Sequence, residues 1–219
     1  MKAPEYETRP EGDPETVVSA LLDRPPVAIR LLEAARGCVL DRGISRVTMS
    51  DVARRADVSR TTLYRHYPDV ETVLRDLMTL DFGRAVLEAS RAVVDRPTAR
   101  ERLAGTLVEG CRAMRADELF RKILDVDPEF LLPYVTARTG VSQRVMLTLL
   151  ENGVRLGQEG DGSIRDGDPL SIARLLLVQA QALAVSLGVV ADDDPATEST
   201  LLRLADEAFE AQLRPLPEA

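Results

Sequence analysis

Apolar residues recur at three- and four-residue spacing along most of this chain, and no alternating apolar–polar run reaches useful strand length. The pattern predicts an all-α protein. Pro25-Pro26 breaks the chain before a first main helix, and two short helices with a tight turn fill Met49 to Tyr67. One or two helices are expected from Asp69 to about Asp95, then helices over Thr98 to Met114, Asp117 to Leu124, Pro128 to Thr136 and Ser142 to Gly157. Gly157 to Gly167 is rich in Gly and Asp and is expected to turn. Asp127-Pro128, Asp168-Pro169 and Asp194-Pro195 each offer an N-cap followed by Pro at the first helical position. Pro169 to Val189 is apolar on almost every face, the mark of a helix buried on more than one side, and a last helix covers about Ala196 to Leu213.

The segment Met49 to Tyr67 carries the most specific pattern. Thr48 is placed to cap its first helix, with Asp51 at the reciprocating position of a capping box. Val52, Ala53 and Ala56 face inward, and the small residues let a second helix come close. The chain turns at Asp57, where a positive φ is expected because Asp tolerates the left-handed region better than most residues. Val58 plugs the core, and Ser59 caps a second helix that starts at Arg60. At about 100° per residue, a core-facing Leu63 brings Tyr67 near the same side and turns Thr61 and Arg65 outward, flanked by Thr62 and Tyr64. Arginine pairs bidentately with guanine, threonine meets a thymine methyl or a phosphate, and tyrosine hydroxyls suit phosphate oxygens. A helix, a short turn and a second helix offered to the major groove is helix-turn-helix geometry. The plainer alternative is a helical hairpin with a solvated face.

A net charge of −8 argues against a DNA binder until it is divided along the chain. Residues 24 to 75 hold ten Arg against six Asp or Glu, a net of +4, which leaves −12 on the rest. One basic face on an acidic body fits a nucleic-acid reader, and the body discourages non-specific adhesion. Aromatics are only 4% with no Trp, so aliphatic residues must build the core. Cys38 and Cys111 fall in apolar helical patterns and read as small buried residues, not a disulfide framework. The acidic N-terminus lacks the apolar segment of a signal peptide, and no apolar stretch reaches about 18 residues. A cytoplasmic protein with no membrane partner is expected.

Ala56-Asp-Val-Ser-Arg-Thr-Thr-Leu-Tyr-Arg-His-Tyr-Pro-Asp69 closely resembles the helix-turn-helix signature of TetR-family transcriptional regulators. Leu31-Leu-Glu-Ala-Ala-Arg-Gly-Cys-Val-Leu-Asp-Arg-Gly43 looks like that family's first helix, and Arg42-Gly43-Ile44 with Thr48 matches its connection to the second. The resemblance covers roughly residues 27 to 78. It implies DNA contacts from Thr48, Arg60, Thr61, Thr62, Tyr64 and His66, with Arg65 at a variable position that often joins them. His66 is the only histidine, and with no partner ligands at helical spacing it is not a metal site. Two positions depart from the family. Asp57 stands where the turn usually has Gly, and Val70 stands where a phosphate-clamping Lys often opens the fourth helix. The N-terminus of that helix would still offer backbone N–H groups.

The resemblance also implies an organisation. Residues 1–24 are an acidic extension, 25–70 a helix-turn-helix DNA-binding domain, 71–213 a helical ligand-binding and dimerisation domain, and 214–219 a tail. In the family the last two helices pair with their copies to make a homodimer. The middle helices enclose an inducer pocket, with Cys111, Met114, Phe120, Phe130, Tyr134 and Met146 as candidate lining residues here, although residues of these types at helical spacing also serve as plain core. The implied function is a ligand-responsive regulator, read as a repressor, that binds a near-palindromic double-stranded operator as a dimer and answers to a small-molecule effector. An activator or inducer-independent regulator, and a helical interaction module without DNA binding, are the alternatives. An enzyme fails on inventory: the sequence has no Ser-His-Asp pattern, no metal cluster and no Gly-rich phosphate loop, and no cofactor is expected.

Overall fold

A computed structural model describes residues 23–133 and 140–217, and among these it contains helices and no strand. The helices are α1 (Pro26–Arg42), α2 (Met49–Arg55), α3 (Arg60–His66), α4 (Val70–Ala92), α5 (Ala99–Ala116), α6 (Glu118–Val126), α7 (Val141–Leu156), α8 (Pro169–Val190) and α9 (Pro195–Leu213). Short side chains start most of them. Ser59, Asp69, Asp117, Asp168 and Asp194 each accept a backbone N–H from the first turn that follows, and Thr98 with Glu101 closes a full capping box.

Asp127 departs from the expected pattern. Its side chain caps nothing; the helix expected from Pro128 opens as a 3-10 turn over Pro128–Phe130, Leu132 and Pro133 are helical, and residues 134–136 of that expectation lie outside the described residues. The Asp127 carboxylate crosses the molecule instead, accepting the Ile44 N–H at 2.8 Å and the Ser45 hydroxyl at 2.5 Å. Gly157–Asp161, expected as a turn, continues α7 as a π-helical turn before the chain bends at Gly162.

Two large apolar cores result, with a small third cluster around Val86 and Leu149. The first gathers Leu31, Leu32 and Val39 of α1, Val52 of α2, Leu63 of α3 and Val73, Leu77 and Leu80 of α4. The second gathers Leu107 and Cys111 of α5, Leu150 and Val154 of α7, Leu176 and Leu187 of α8 and Leu202 and Phe209 of α9. Helix α6 serves both: Leu119 and Ile123 are buried in the first core, Phe120 in the second. The first core therefore continues past residue 70 into α4 and α6. Ion pairs from Arg115 of α5 and from Arg96, just before α5, hold this region to α9. The Arg115 guanidinium lies against Gly188 of α8 and pairs bidentately with Glu198 at 2.9 and 3.0 Å, a seat that any Cβ at Gly188 would fill.

Helix α8 corrects one expectation. It is long and apolar enough to cross a membrane by length and composition, with a mean hydropathy of 1.7, but only 28% of that window is buried. Leu175, Val178, Ala182, Val185 and Val189 form an exposed stripe at three- and four-residue spacing, and Leu204, Ala208 and Ala211 continue it on α9. The helix was expected to be covered on more than one side; in this single chain one apolar side stays open.

A candidate nucleic-acid interface and the cavity behind it

Helix α3 is only seven residues long, so its orientation depends on anchors at both ends. Leu63 is fully buried, and Tyr67, just past the last turn, is buried beside Asp76 and Arg24. That burial, with Asp76 next to it, pushes the Tyr67 phenol up to about 12, so it stays neutral. The preceding turn places Asp57 at φ 52, as expected of the residue standing where glycine is common.

With those anchors set, Arg60, Thr61, Tyr64 and Arg65 are all exposed on one side of α3. Tyr64 is 54% exposed, a large aromatic that the fold leaves outside. Arg60 and Arg65 take part in no ion pair among the described residues, so their guanidiniums can reach a ligand. His66 is half-buried at the end of the helix. Two of the expected contacts are already engaged internally. Thr62 shares its hydroxyl with Ser59 Oγ at 2.9 Å, within the cap. The Thr48 hydroxyl accepts the Asp51 N–H at 3.2 Å and donates to the Asp51 carboxylate at 2.6 Å. Asp51 therefore meets the cap through the Thr48 hydroxyl, not as the reciprocal bond of a full capping box. That hydroxyl, followed by Arg42 and Arg54, holds the Asp51 carboxyl below the usual carboxylate range.

The start of α4 is less open than the sequence implied. Asp69 accepts both the N–H and the hydroxyl of Thr72 at 2.7 Å, so a carboxylate already occupies the helix N-terminus beside Val70. Arg46 adds a cation that sequence reasoning passed over. It is exposed two residues before Thr48 and has no ion pair among the described residues.

The helix-turn-helix unit of α1 to α3, the reading head, is tied to the rest at both ends of α6. Before it, Asp117 caps the helix through one oxygen and takes the Arg36 guanidinium on the other at 2.6 Å, while Arg36 also reaches Asp81 of α4 at 3.3 Å. After it, Asp127 holds Ile44 and Ser45 in the turn that leads to Thr48. Gly43 makes the second tie possible. It sits at φ 87, and a Cβ there would collide with Asp127 Oδ2. Nothing in the local sequence marks Asp127 for this role, because its partners lie 82 and 83 residues away.

Behind these ties, α4, α5, α6, α7 and α8, with the Pro128–Phe130 turn, line a partly open cavity of about 170 Å3. Five of the six expected lining residues, Cys111, Met114, Phe120, Phe130 and Met146, line it; Tyr134 lies outside the described residues. Burial pushes the Cys111 thiol up to about 12, so it lines the wall as a neutral, unreactive group. Met78, Phe82 and Phe120 separate the cavity from a more polar groove that contains Arg36, Asp81 and Asp117. No group of three or more metal-ligating side chains occurs among the described residues.

Comparison with known proteins agrees with this architecture. Residues 31–77 match the family model described as bacterial regulatory proteins, tetR family. An uncharacterized HTH-type transcriptional regulator of Mycobacterium tuberculosis is 33% identical over 168 residues, covering 77% of this chain and 85% of its own. The HTH-type transcriptional repressor KstR2 of Mycolicibacterium smegmatis is 28% identical over 144 residues, 62% of this chain and 66% of its own. Among solved structures, the fatty acid degradation regulator FadR from Bacillus halodurans superposes with a TM-score of 0.62 at 16% identity, over 85% of this chain and 96% of that one. FadR from Bacillus subtilis, solved in complex with stearoyl-CoA, gives 0.60 at 14% identity over 85% and 99%. At these identities the two structures establish a shared fold.

Proposed function

Because this chain belongs to the TetR family of bacterial helix-turn-helix transcriptional regulators, we propose that it is a ligand-responsive repressor that binds a near-palindromic operator as a homodimer. The observation that carries the reading is α3: Arg60, Thr61, Tyr64 and Arg65 stand exposed together on a helix fixed by buried Leu63 and Tyr67. Arg60 and Arg65 read base edges or phosphates, and Tyr64 and the first-turn N–H groups hold the backbone. Thr48, Thr61, Thr62 and His66 complete the contact, with Arg46 as a further phosphate partner. A protein of this kind works in the cytoplasm, where the DNA is.

The exposed apolar stripe of α8 and α9 supports the dimer. Its heptad-like spacing suits helix-on-helix packing against a second copy, and an operator with two half-sites needs two heads held about 34–36 Å apart, one helical turn of DNA.

Effector response runs through α6. Phe120 forms part of the cavity wall, while Leu119 and Ile123 of the same helix lie in the core under the reading head. A molecule that displaces Phe120 moves a helix bonded to the head by Asp117 at one end and Asp127 at the other. The effector shifts the equilibrium only by its differential affinity for the two arrangements, on the order of 1–3 kcal/mol.

The test is a footprint of the purified protein on DNA flanking its own gene, repeated over a salt series and backed by selection from random sequence. A protected near-palindrome whose affinity falls steeply with salt supports the reading. Absence of any selected sequence at low salt overturns it in favour of a helical interaction module.

A further inference from the structure

The charge distribution around the cavity restricts what can occupy it. Among the described residues no Asp or Glu lines it, and Arg75 is the single charged lining residue. The wall is otherwise apolar apart from a few neutral groups, among them Gln181, whose amide makes no hydrogen bond among the described residues. A cation brought into such a wall loses its hydration and gains no counter-charge, which is strongly unfavourable. A neutral polar group is accommodated by an amide, and an anion by a guanidinium.

The shape is also informative. Arg75, Met78, Phe82 and Val86 lie along one stripe of α4. Eleven residues of helix separate the first from the last, about 16 Å. Arg75 is the α4 lining residue closest to the reading head. It pairs with Glu71 at 3.3 Å, and both side chains are substantially exposed, so the pair is weak and the guanidinium can turn to another anion. Midway along α5, Gly110 lines the same cavity, and a Cβ built there would meet nothing within 4 Å. Glycine in the middle of an 18-residue helix is unfavourable for the helix itself. Here it leaves room.

We infer that the cavity takes an elongated amphiphile, with a mainly apolar body and one neutral or anionic polar end held near Arg75, and excludes lipophilic cations. This rests on the reading of the cavity as the effector site and deepens it.

Three probes of equal chain length separate the possibilities: decanoate, decanol and decyltrimethylammonium, each below its micelle-forming range. They are added to the full-length protein at neutral pH, and thermal unfolding is followed, since a ligand that binds only the folded state raises its midpoint. Decanoate and decanol are expected to raise it and decyltrimethylammonium to leave it unchanged. Arg75→Ala is expected to weaken decanoate roughly tenfold and leave decanol unaffected. Gly110→Leu fills the cavity and should abolish both shifts, while Gly110→Ala, which favours the helix, verifies that the position tolerates a side chain. Stabilisation by decyltrimethylammonium equal to that by decanoate overturns the ligand class. Shifts that persist in Gly110→Leu, or no shift with any probe, overturn the assignment to this cavity. Decanoate binding that Gly110→Leu abolishes but that leaves operator affinity unchanged supports the ligand class and overturns the effector reading alone.

Discussion

The carboxylate of Asp127 accepts the backbone N–H of Ile44 at 2.8 Å, joining the end of α6 to the turn that delivers the chain into the reading head. The bond is buried, Asp127 being 5% exposed and Ile44 2%. Its second oxygen holds the Ser45 hydroxyl, so one side chain fixes two consecutive residues. A bond so placed bears on stability and, on the proposed function, on coupling between the cavity and α3.

Asp127→Ala leaves the Ile44 N–H buried without an acceptor. A loss of about 1–3 kcal/mol is expected, lowering the unfolding midpoint by about 2–4 °C for each kcal/mol. Ligand affinity should be retained while the ligand's effect on operator affinity shrinks. Titration of both ligand and operator measures this, and undiminished coupling would remove Asp127 from the relay.

The same tie sets a pH dependence. The Ser45 hydroxyl, with the Ser45 and Ile44 N–H groups, holds the Asp127 carboxyl below its ordinary value. A lowered folded value contributes stability that is complete above the unfolded value near 4 and lost as pH falls through the folded value. The stability difference between the natural chain and Asp127→Ala should therefore be flat from about pH 5 to 8 and narrow in acid. Denaturant titrations across that range measure it; a difference that grows in acid would contradict the assignment.

Gly43→Ala tests the backbone that admits the tie. Its φ of 87 strains any L side chain, and the added methyl meets Asp127. A loss of about 1–3 kcal/mol or more is expected, read by denaturant unfolding.

On the reading helix, Arg60→Ala should cost about 1–3 kcal/mol in operator affinity if it reads a base, with specificity relaxed at one position. Tyr64→Ala should weaken all sequences alike. Neither removes buried surface beneath α3, so unfolding midpoints should hold. If binding isotherms on operator and scrambled DNA are unchanged in both variants, α3 is not the reader.

Val178→Asp places a carboxylate in the α8 stripe, at a side chain 61% exposed in the single chain. The monomer should fold normally, and a dimer would bury one uncompensated charge from each copy, about 3 kcal/mol or more apiece. Sedimentation should report a monomer with weakened operator binding. An unchanged sedimentation coefficient would place the interface elsewhere.

The sequence by itself determined most of the helices to within a few residues, the left-handed residue at Asp57, the caps at Ser59, Asp168 and Asp194, and the outward residues of α3. Each of these depends on neighbours within about one helical turn, so periodicity and capping chemistry suffice. Only the tertiary structure decided that Asp127 leaves its own Pro128 turn uncapped to hold Ile44, that Arg36 spans Asp81 and Asp117, and that α6 divides its faces between two cores. It also decided that α8, apolar on nearly all sides, keeps one of them uncovered. These outcomes depend on which distant helices meet and at what angle. A carboxylate finds its donor through that arrangement, and no local pattern records the distance of 83 residues between Asp127 and Ile44.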